Sequence, residues 1–297
     1  DLESRAYTAL EYAKRAGRNQ VAVFDSSMVG ASPERLALEQ RLRQALPNGE
    51  LLMNYQPQIE LATGAATGVE ALLRWKHPEL GFVSPGTFIP IAEENGLICS
   101  FGEFALYESL RQAIAWRRQG MRSVRVCVNV SPLQFCRPDF AGRTIAAIQE
   151  FEIDPSQLEL EITEGVIMQN VDAALVHMNR LREIGVQFAI DDFGTGHSSL
   201  AYLQKLPIQR IKIDRSFIKD ITKASERPAL VVNIIRLAHA LGVPAIVEGI
   251  ETLEQAIALT AMGCEEAQGY LFSKPLLGQE LFHWTQHIDR EPAGAVR

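Results

Sequence analysis

From about Pro33 onward the chain alternates between two hydrophobic periods. Apolar runs of strand length occur near 51–58, 68–75, 123–130, 157–163, 186–192, 208–213, 243–248 and 265–272. Between them lie stretches such as Glu34–Leu46, Phe104–Gln119, Ala173–Ile184, Ala229–Leu241 and Leu253–Met262. Their apolar residues recur at three- and four-residue spacing, the period of a helix with one buried face. The turn Ala62-Thr63-Gly64-Ala65 is too short for a crossover, so the first two strands are expected as antiparallel neighbours. The six later strands alternate with helices, which predicts an α/β protein with a mostly parallel sheet. Eight strands predict closure into a (β/α)8 barrel of the TIM type, with a doubly wound open sheet as the alternative.

Residues 1–24 follow a different pattern. Leu2, Ala6, Ala9, Leu10 and Ala13 form one helical face, stopped by the basic turn Lys14-Arg15-Ala16-Gly17-Arg18-Asn19. Val21–Phe24 reads as a short strand, and Asp25–Ser32 as a linker rich in Ser and Gly. The first residue is Asp1 rather than methionine, and the chain enters a helix at once. The expectation is a piece of a longer protein, whose missing part is where a membrane anchor would lie.

Composition narrows the function classes. The 297 residues are 47 % hydrophobic and 22 % charged, ordinary for a globular protein with one large core. A net charge of -7 supplies no global field for a nucleic-acid polymer or anionic lipid. A phosphate substrate would then need local help from cations or a few placed Lys and Arg. Cys99, Cys127, Cys136 and Cys264 show neither zinc spacing nor a disulfide framework, which fits a reducing, cytoplasmic setting. No signal peptide or membrane-spanning run is present in the sequence.

Polar residues that would be costly in a core recur at the C-terminal ends of the strands. Asn129, Glu161 with Glu164, Asp191 with Asp192, Lys212, Glu248 and Gln268 occupy such places, and Glu70 interrupts Gly68-Val69-Glu70-Ala71-Leu72. One such residue is most simply a satisfied structural polar group, but seven strands each supplying one is a pattern. In a barrel these ends converge on one mouth, where the chemistry of this architecture sits. Converging carboxylates repel unless hard cations lie between them, and an all-oxygen set suits Mg²⁺ or Mn²⁺. Two such ions, roughly 3.5–4 Å apart, clamp the attacking and leaving oxygens of a phosphoryl displacement. Asp191-Asp192-Phe193-Gly194-Thr195-Gly196-His197-Ser198-Ser199 reads as a Gly-rich loop behind the paired carboxylate, and Arg74 as a candidate for a substrate phosphate.

Nine blocks in order carry a family likeness: Tyr55-Gln56-Pro57, Glu70-Ala71-Leu72-Leu73-Arg74-Trp75, Phe88-Ile89-Pro90, Asn129-Val130-Ser131, Glu161-Ile162-Thr163-Glu164, Asp191–Gly196, Lys212-Ile213-Asp214, Glu248–Thr252 and Gln268-Gly269-Tyr270. Over 34–285 the chain resembles the EAL-domain phosphodiesterases. The resemblance implies a barrel with one reversed strand and cleavage of cyclic di-GMP to linear pGpG. By it, Glu70, Asn129, Glu161 and Asp191 hold one metal, and Asp191 with Asp192 the other. Glu248 supports the metal-water cluster, and Lys212 orients or helps deprotonate the attacking water, with Gln268 nearby. Glu164 anchors the 191–199 loop, while Gln56, Arg74, Asn129 and Asp214 face the nucleotide. Ca²⁺ is expected to occupy the site unproductively. His197 departs from the family, where Tyr is commoner.

Residues 1–24 resemble the end of a GGDEF domain, which places residues 1–28 as a remnant with its linker and 29–297 as the EAL domain. The implied setting is a cytoplasmic domain of a parent carrying GGDEF-like and sensory domains, with its anchor in the inner membrane. The family likeness also implies a homodimer. A receptor that binds cyclic di-GMP without cleaving it is the alternative, disfavoured because every inferred ligand is retained. His283 and His287 share a helix face but lack the Glu of a zinc motif.

Overall fold

The structure is a computed structural model that describes residues 2–15, 21–24, 33–121, 124–194, 200–223 and 225–290. Nine strands form among the described residues: β1 (Leu51–Glu60), β2 (Ala66–His77), β3 (Gly81–Val83), β4 (Arg125–Asn129), β5 (Leu158–Thr163), β6 (Gln187–Phe193), β7 (Arg210–Ile213), β8 (Ala245–Val247) and β9 (Glu266–Ala267). Two compact units share them, one of residues 1–51 with 75–92, the other of 52–74 with 93–297.

In the larger unit the strand order β1-β9-β8-β7-β6-β5-β4-β2 closes on itself through β1–β2 pairing. Closure excludes the open sheet. β2 pairs with β4 in parallel, as does every later neighbour up to β9, whereas β1 pairs with β9 antiparallel. The reversed strand is therefore β1. Helices Ile98–Arg118, Phe140–Phe151, Val171–Arg182, Ala229–Ala240 and Leu253–Met262 alternate with the strands. The last of these matches the expected bounds because its ends are written locally. Thr252 and Gln255 form a capping box, and Gly263 at φ 89° stops the helix.

The smaller unit holds helices Leu2–Arg15 and Pro33–Ala45, and β3 against the end of β2. Trp75 is fully buried there, edge-on to Phe88, and its indole N–H donates to Glu50 Oε2 at 2.8 Å. Neither β3 nor helix Pro85–Glu94 is among the expected elements: the three residues of β3 carry no legible period, and Pro90 interrupts the helical pattern.

Two expectations are corrected. Val21–Phe24 forms no strand. The last strand stops at Ala267 rather than near 272, because the chain turns at Gly269, whose carbonyl accepts from Phe272 and Ser273 N–H. A Cβ on Gly269 would lie 2.1 Å from Ile250 O, so only glycine fits the turn. Among the described residues no helix is long and apolar enough to cross a membrane.

Strands enclosed by helices bury both faces. On β5, Leu158, Leu160 and Ile162 join the apolar core with Phe188 and Ile190 of β6, and the alternate Glu159 and Glu161 are buried as well. Phe188, wholly buried, anchors that outer layer. Phe188→Ala is expected to cost about 3–5 kcal/mol of unfolding free energy. Urea denaturation checks this: the midpoint should fall with little change in slope.

Candidate active site

Strand alternation sends every second residue into the lumen, and contacts between non-neighbouring strands identify which. Lys212 of β7 lies at the centre, 1 % exposed. Its Nζ is 2.6 Å from Glu248 Oε1, 2.8 Å from Glu161 Oε2, 3.2 Å from Asp191 Oδ1 and 3.7 Å from Glu70 Oε2. Those four carboxylates come from the end of β8 and from β5, β6 and β2. An ammonium so deep is tolerated only when paired this densely.

Amide side chains fix the orientation of Glu70. Asn129 Nδ2 donates to its Oε1 at 2.7 Å, and Gln268 Nε2 to its Oε2 at 2.5 Å. Gln268 Nε2 also reaches Gln56 Oε1 at 3.1 Å, and Gln56 Nε2 donates to Ser273 O at 3.0 Å. Gln56 is thus wired to Glu70 through one intermediary.

The paired aspartates need a break in regularity, since consecutive strand residues face opposite ways. The β6–β7 register shifts between Ile190 and Phe193, and Asp192 adopts a left-handed φ of 52°. Asp is among the few residues that tolerate it. Asp191 Oδ1 accepts the Asp192 N–H at 3.0 Å.

Other expected residues lie around this cluster. Asp214 Oδ1 accepts the Ser216 N–H at 2.9 Å and is half-buried. Arg74 is half-buried, and burial pulls its guanidinium below the usual value against the opposing pull of the Glu70 carboxylate. Glu164, buried at the start of helix Glu164–Gln169, has no hydrogen-bond partner for its Oε2 among the described residues. Most of the loop it was expected to anchor, residues 195–199 including His197, lies outside the described residues.

Burial alone would raise Glu70, yet the Lys212 ammonium and the bonds from Gln268 and Asn129 hold it below the usual range. Glu161 is pushed well up by burial, against Lys212, with Glu70 and Asp191 as like charges. Burial likewise pushes Glu248 up to about 8. Lys212 stays firmly charged: burial opposes this, but Asp191, Glu161, Glu248 and Glu70 prevail.

The donor set fits divalent cations. Glu70, Glu161, Asp191, Asp192 and Glu248 against Lys212 leave a formal excess of four negative charges, which two divalent ions would neutralise. Glu161 Oε1 is buried with no hydrogen-bond partner among the described residues. Cys127, Glu159 and Glu161 also lie close together, but two arginines already occupy Glu159, and burial pushes the Cys127 thiol well up. The oxygen cluster is the better cation site.

Residues 39–275 match the EAL domain. The chain belongs to the EAL-domain family. It is 41 % identical over 281 residues to the bifunctional diguanylate cyclase/cyclic di-GMP phosphodiesterase MucR of Pseudomonas aeruginosa, covering 95 % of this chain and 41 % of that protein. It is 37 % identical over 279 residues to the cyclic di-GMP phosphodiesterase PdeR of Escherichia coli, covering 94 % of this chain and 42 % of that protein. It therefore spans less than half the length of these relatives. The structure of the PaMucR phosphodiesterase in complex with c-di-GMP superposes with a TM-score of 0.79 at 41 % identity, covering 82 % of this chain and 99 % of that one.

Sequence reasoning missed a second charged layer in the lumen of this EAL domain: Arg125, Glu159, Arg210 and Glu266. The available signal was charge at same-face positions within the strands, two before Glu161, Lys212 and Gln268.

The raised carboxyls give a pH prediction. A group whose folded pKa exceeds its unfolded value contributes stability below the unfolded value and loses it as pH rises through the folded one. For Glu248 that window runs from 4.5 to about 8. With chelator present, thermal stability should fall across this window, and saturating Mn²⁺ should remove the fall. Melting curves that stay flat in chelator would count against the buried cluster.

Proposed function

We propose that this EAL domain is a metal-dependent phosphodiesterase that hydrolyses cyclic di-GMP to linear 5'-pGpG. The observation that carries the reading is the Lys212-centred cluster, with carboxylates from four strands at one end of a barrel lumen. The relatives named above as cyclic di-GMP phosphodiesterases support it.

In this reading Glu70, Asn129, Glu161, Asp191, Asp192 and Glu248 hold two Mg²⁺ or Mn²⁺ ions. When bound, such ions lower the pKa of a coordinated water and offset charge on the phosphoryl oxygens. Lys212 donates a hydrogen bond that orients the attacking water, and Gln268 keeps Glu70 aligned. Arg74 meets a phosphate, while Gln56 and Asp214 face the nucleotide. Glu164 anchors the loop that begins at Asp191. The water oxygen bonds to phosphorus, one P–O3' bond breaks, and the released 3'-oxygen takes up a proton. A homodimer, and a parent chain with GGDEF-like and sensory domains anchored at the inner membrane, complete the proposal.

Incubation with cyclic di-GMP and chromatographic separation of the nucleotides tests it. Mg²⁺ or Mn²⁺ should support formation of pGpG, and Ca²⁺ should not, being larger and looser in coordination. Glu70→Ala should lower turnover by far more than tenfold, or about 1.4 kcal/mol, while nucleotide binding survives. Full activity after exhaustive chelation would sink the metal reading. Binding without turnover under every metal would leave a receptor instead.

A further inference from the structure

Below the carboxylate cluster the lumen is filled with ions, where barrels of this kind usually stack branched apolar side chains. Arg125 Nε is 3.2 Å from Glu159 Oε1, and its Nη2 is 2.9 Å from Glu266 Oε2. Arg210 Nη1 is 2.6 Å from Glu159 Oε2, and its Nε is 3.0 Å from Glu266 Oε2. Each arginine thus touches both carboxylates. Gln58 Oε1 accepts from Arg125 Nη2 at 2.7 Å, and Gln187 Oε1 from Arg210 Nη1 at 3.1 Å.

The topology of these contacts is informative. Of the four ion pairs, only Arg125–Glu159 joins neighbouring strands, β4 and β5. The others skip strands within the lumen: β7 to β5 and β7 to β9 pass one intervening strand, and β4 to β9 passes two. The wall makes room for them. Gly68 on β2 stands opposite Arg125, and a Cβ there would lie 2.6 Å from Gln58 Oε1 and 3.0 Å from Arg125 Nη2.

Core filling alone does not account for such a layer, because well-packed apolar residues of similar volume are usually at least as stable as a buried ion pair. What guanidinium forks add is fixed direction. Glu159 and Arg210 stand two positions before Glu161 and Lys212 on the same face of the same strands, and Glu266 two before Gln268, which directly follows β9. Tying the lower residues together therefore sets the height and tilt at which the upper ones present their groups.

We infer that Arg125, Glu159, Arg210 and Glu266 form a cross-barrel brace that positions Glu161, Lys212 and Gln268 for divalent-cation binding. The inference rests on the cation reading of the mouth. The four are positioning residues, since none of them belongs to the upper cluster.

Arg210→Met tests it, with Mn²⁺ titrated calorimetrically into the nucleotide-free protein and circular dichroism as the check on folding. Mn²⁺ affinity should drop about tenfold or more, as it does when supports of metal ligands are removed. In turnover assays kcat should fall while KM for cyclic di-GMP moves little, because the nucleotide contacts lie at the mouth. Arg210→Lys keeps the charge but cannot fork between Glu159 and Glu266, so it should recover the fold and only part of the affinity. Wild-type affinity in a folded Arg210→Met would overturn the brace. Loss of the fold in both variants would also overturn it, reducing the layer to core. A wild-type protein that binds no Mn²⁺ would instead fail the cation reading itself, and the brace with it.

Discussion

An ammonium wholly enclosed by protein has to be matched charge for charge, and Lys212 is matched by carboxylates on four different strands. That constraint reaches into the fold. Glu161, Asp191, Glu70 and Glu248 meet one nitrogen only if the sheet is closed, since β2 and β8 lie far apart in the strand order and approach only around the barrel. The match is also overdone. Carboxylates outnumber the cation, and burial raises the proton affinity of Glu161 and Glu248. A hard divalent ion that enters among such oxygen ligands does so in competition with protons.

Strand geometry explains how one short sequence serves both a core and a site. The helix-facing positions of β5 are Leu158, Leu160 and Ile162, while Glu159 and Glu161 are buried on the other side. Regular alternation would send Asp191 and Asp192 to opposite faces, and β6 departs from it here, with a register shift and a left-handed, exposed Asp192 beside the buried Asp191. The irregularity falls where two consecutive carboxylates are wanted together. Strain at a non-glycine residue of this kind is commonly found at functional sites.

Much of this was legible beforehand. Apolar runs located the eight barrel strands, and polar residues at their ends located Glu70, Asn129, Glu161, Asp191, Lys212, Glu248 and Gln268, which contact one another directly. Residues 268–272 looked like strand because Tyr270, Leu271 and Phe272 are apolar, but the turn at Gly269 depends on contact with Ile250, which no local pattern records. The lower layer escaped for a related reason. Arg125 and Glu266 are 141 residues apart in sequence and meet only across the lumen. A lone Arg or Glu within a strand does not announce its partner.

The two layers also differ in charge. The lower layer is balanced, two arginines against two carboxylates, with Gln58 and Gln187 taking up further guanidinium N–H groups. The upper layer carries all of the excess. At close range and partial burial, that negative field acts against an anionic phosphodiester, and the net charge of -7 offers no compensation from the rest of the molecule. Arg74, half-buried near Glu70, carries a single charge and does not reverse it. Cations in the upper layer would change the sign of the argument, cancelling the excess and supplying the attraction that the protein itself lacks. On the proposed reaction, cations in the upper layer therefore place the scissile phosphate for attack, while the nucleotide contacts at Gln56, Arg74 and Asp214 hold the rest of the substrate without them.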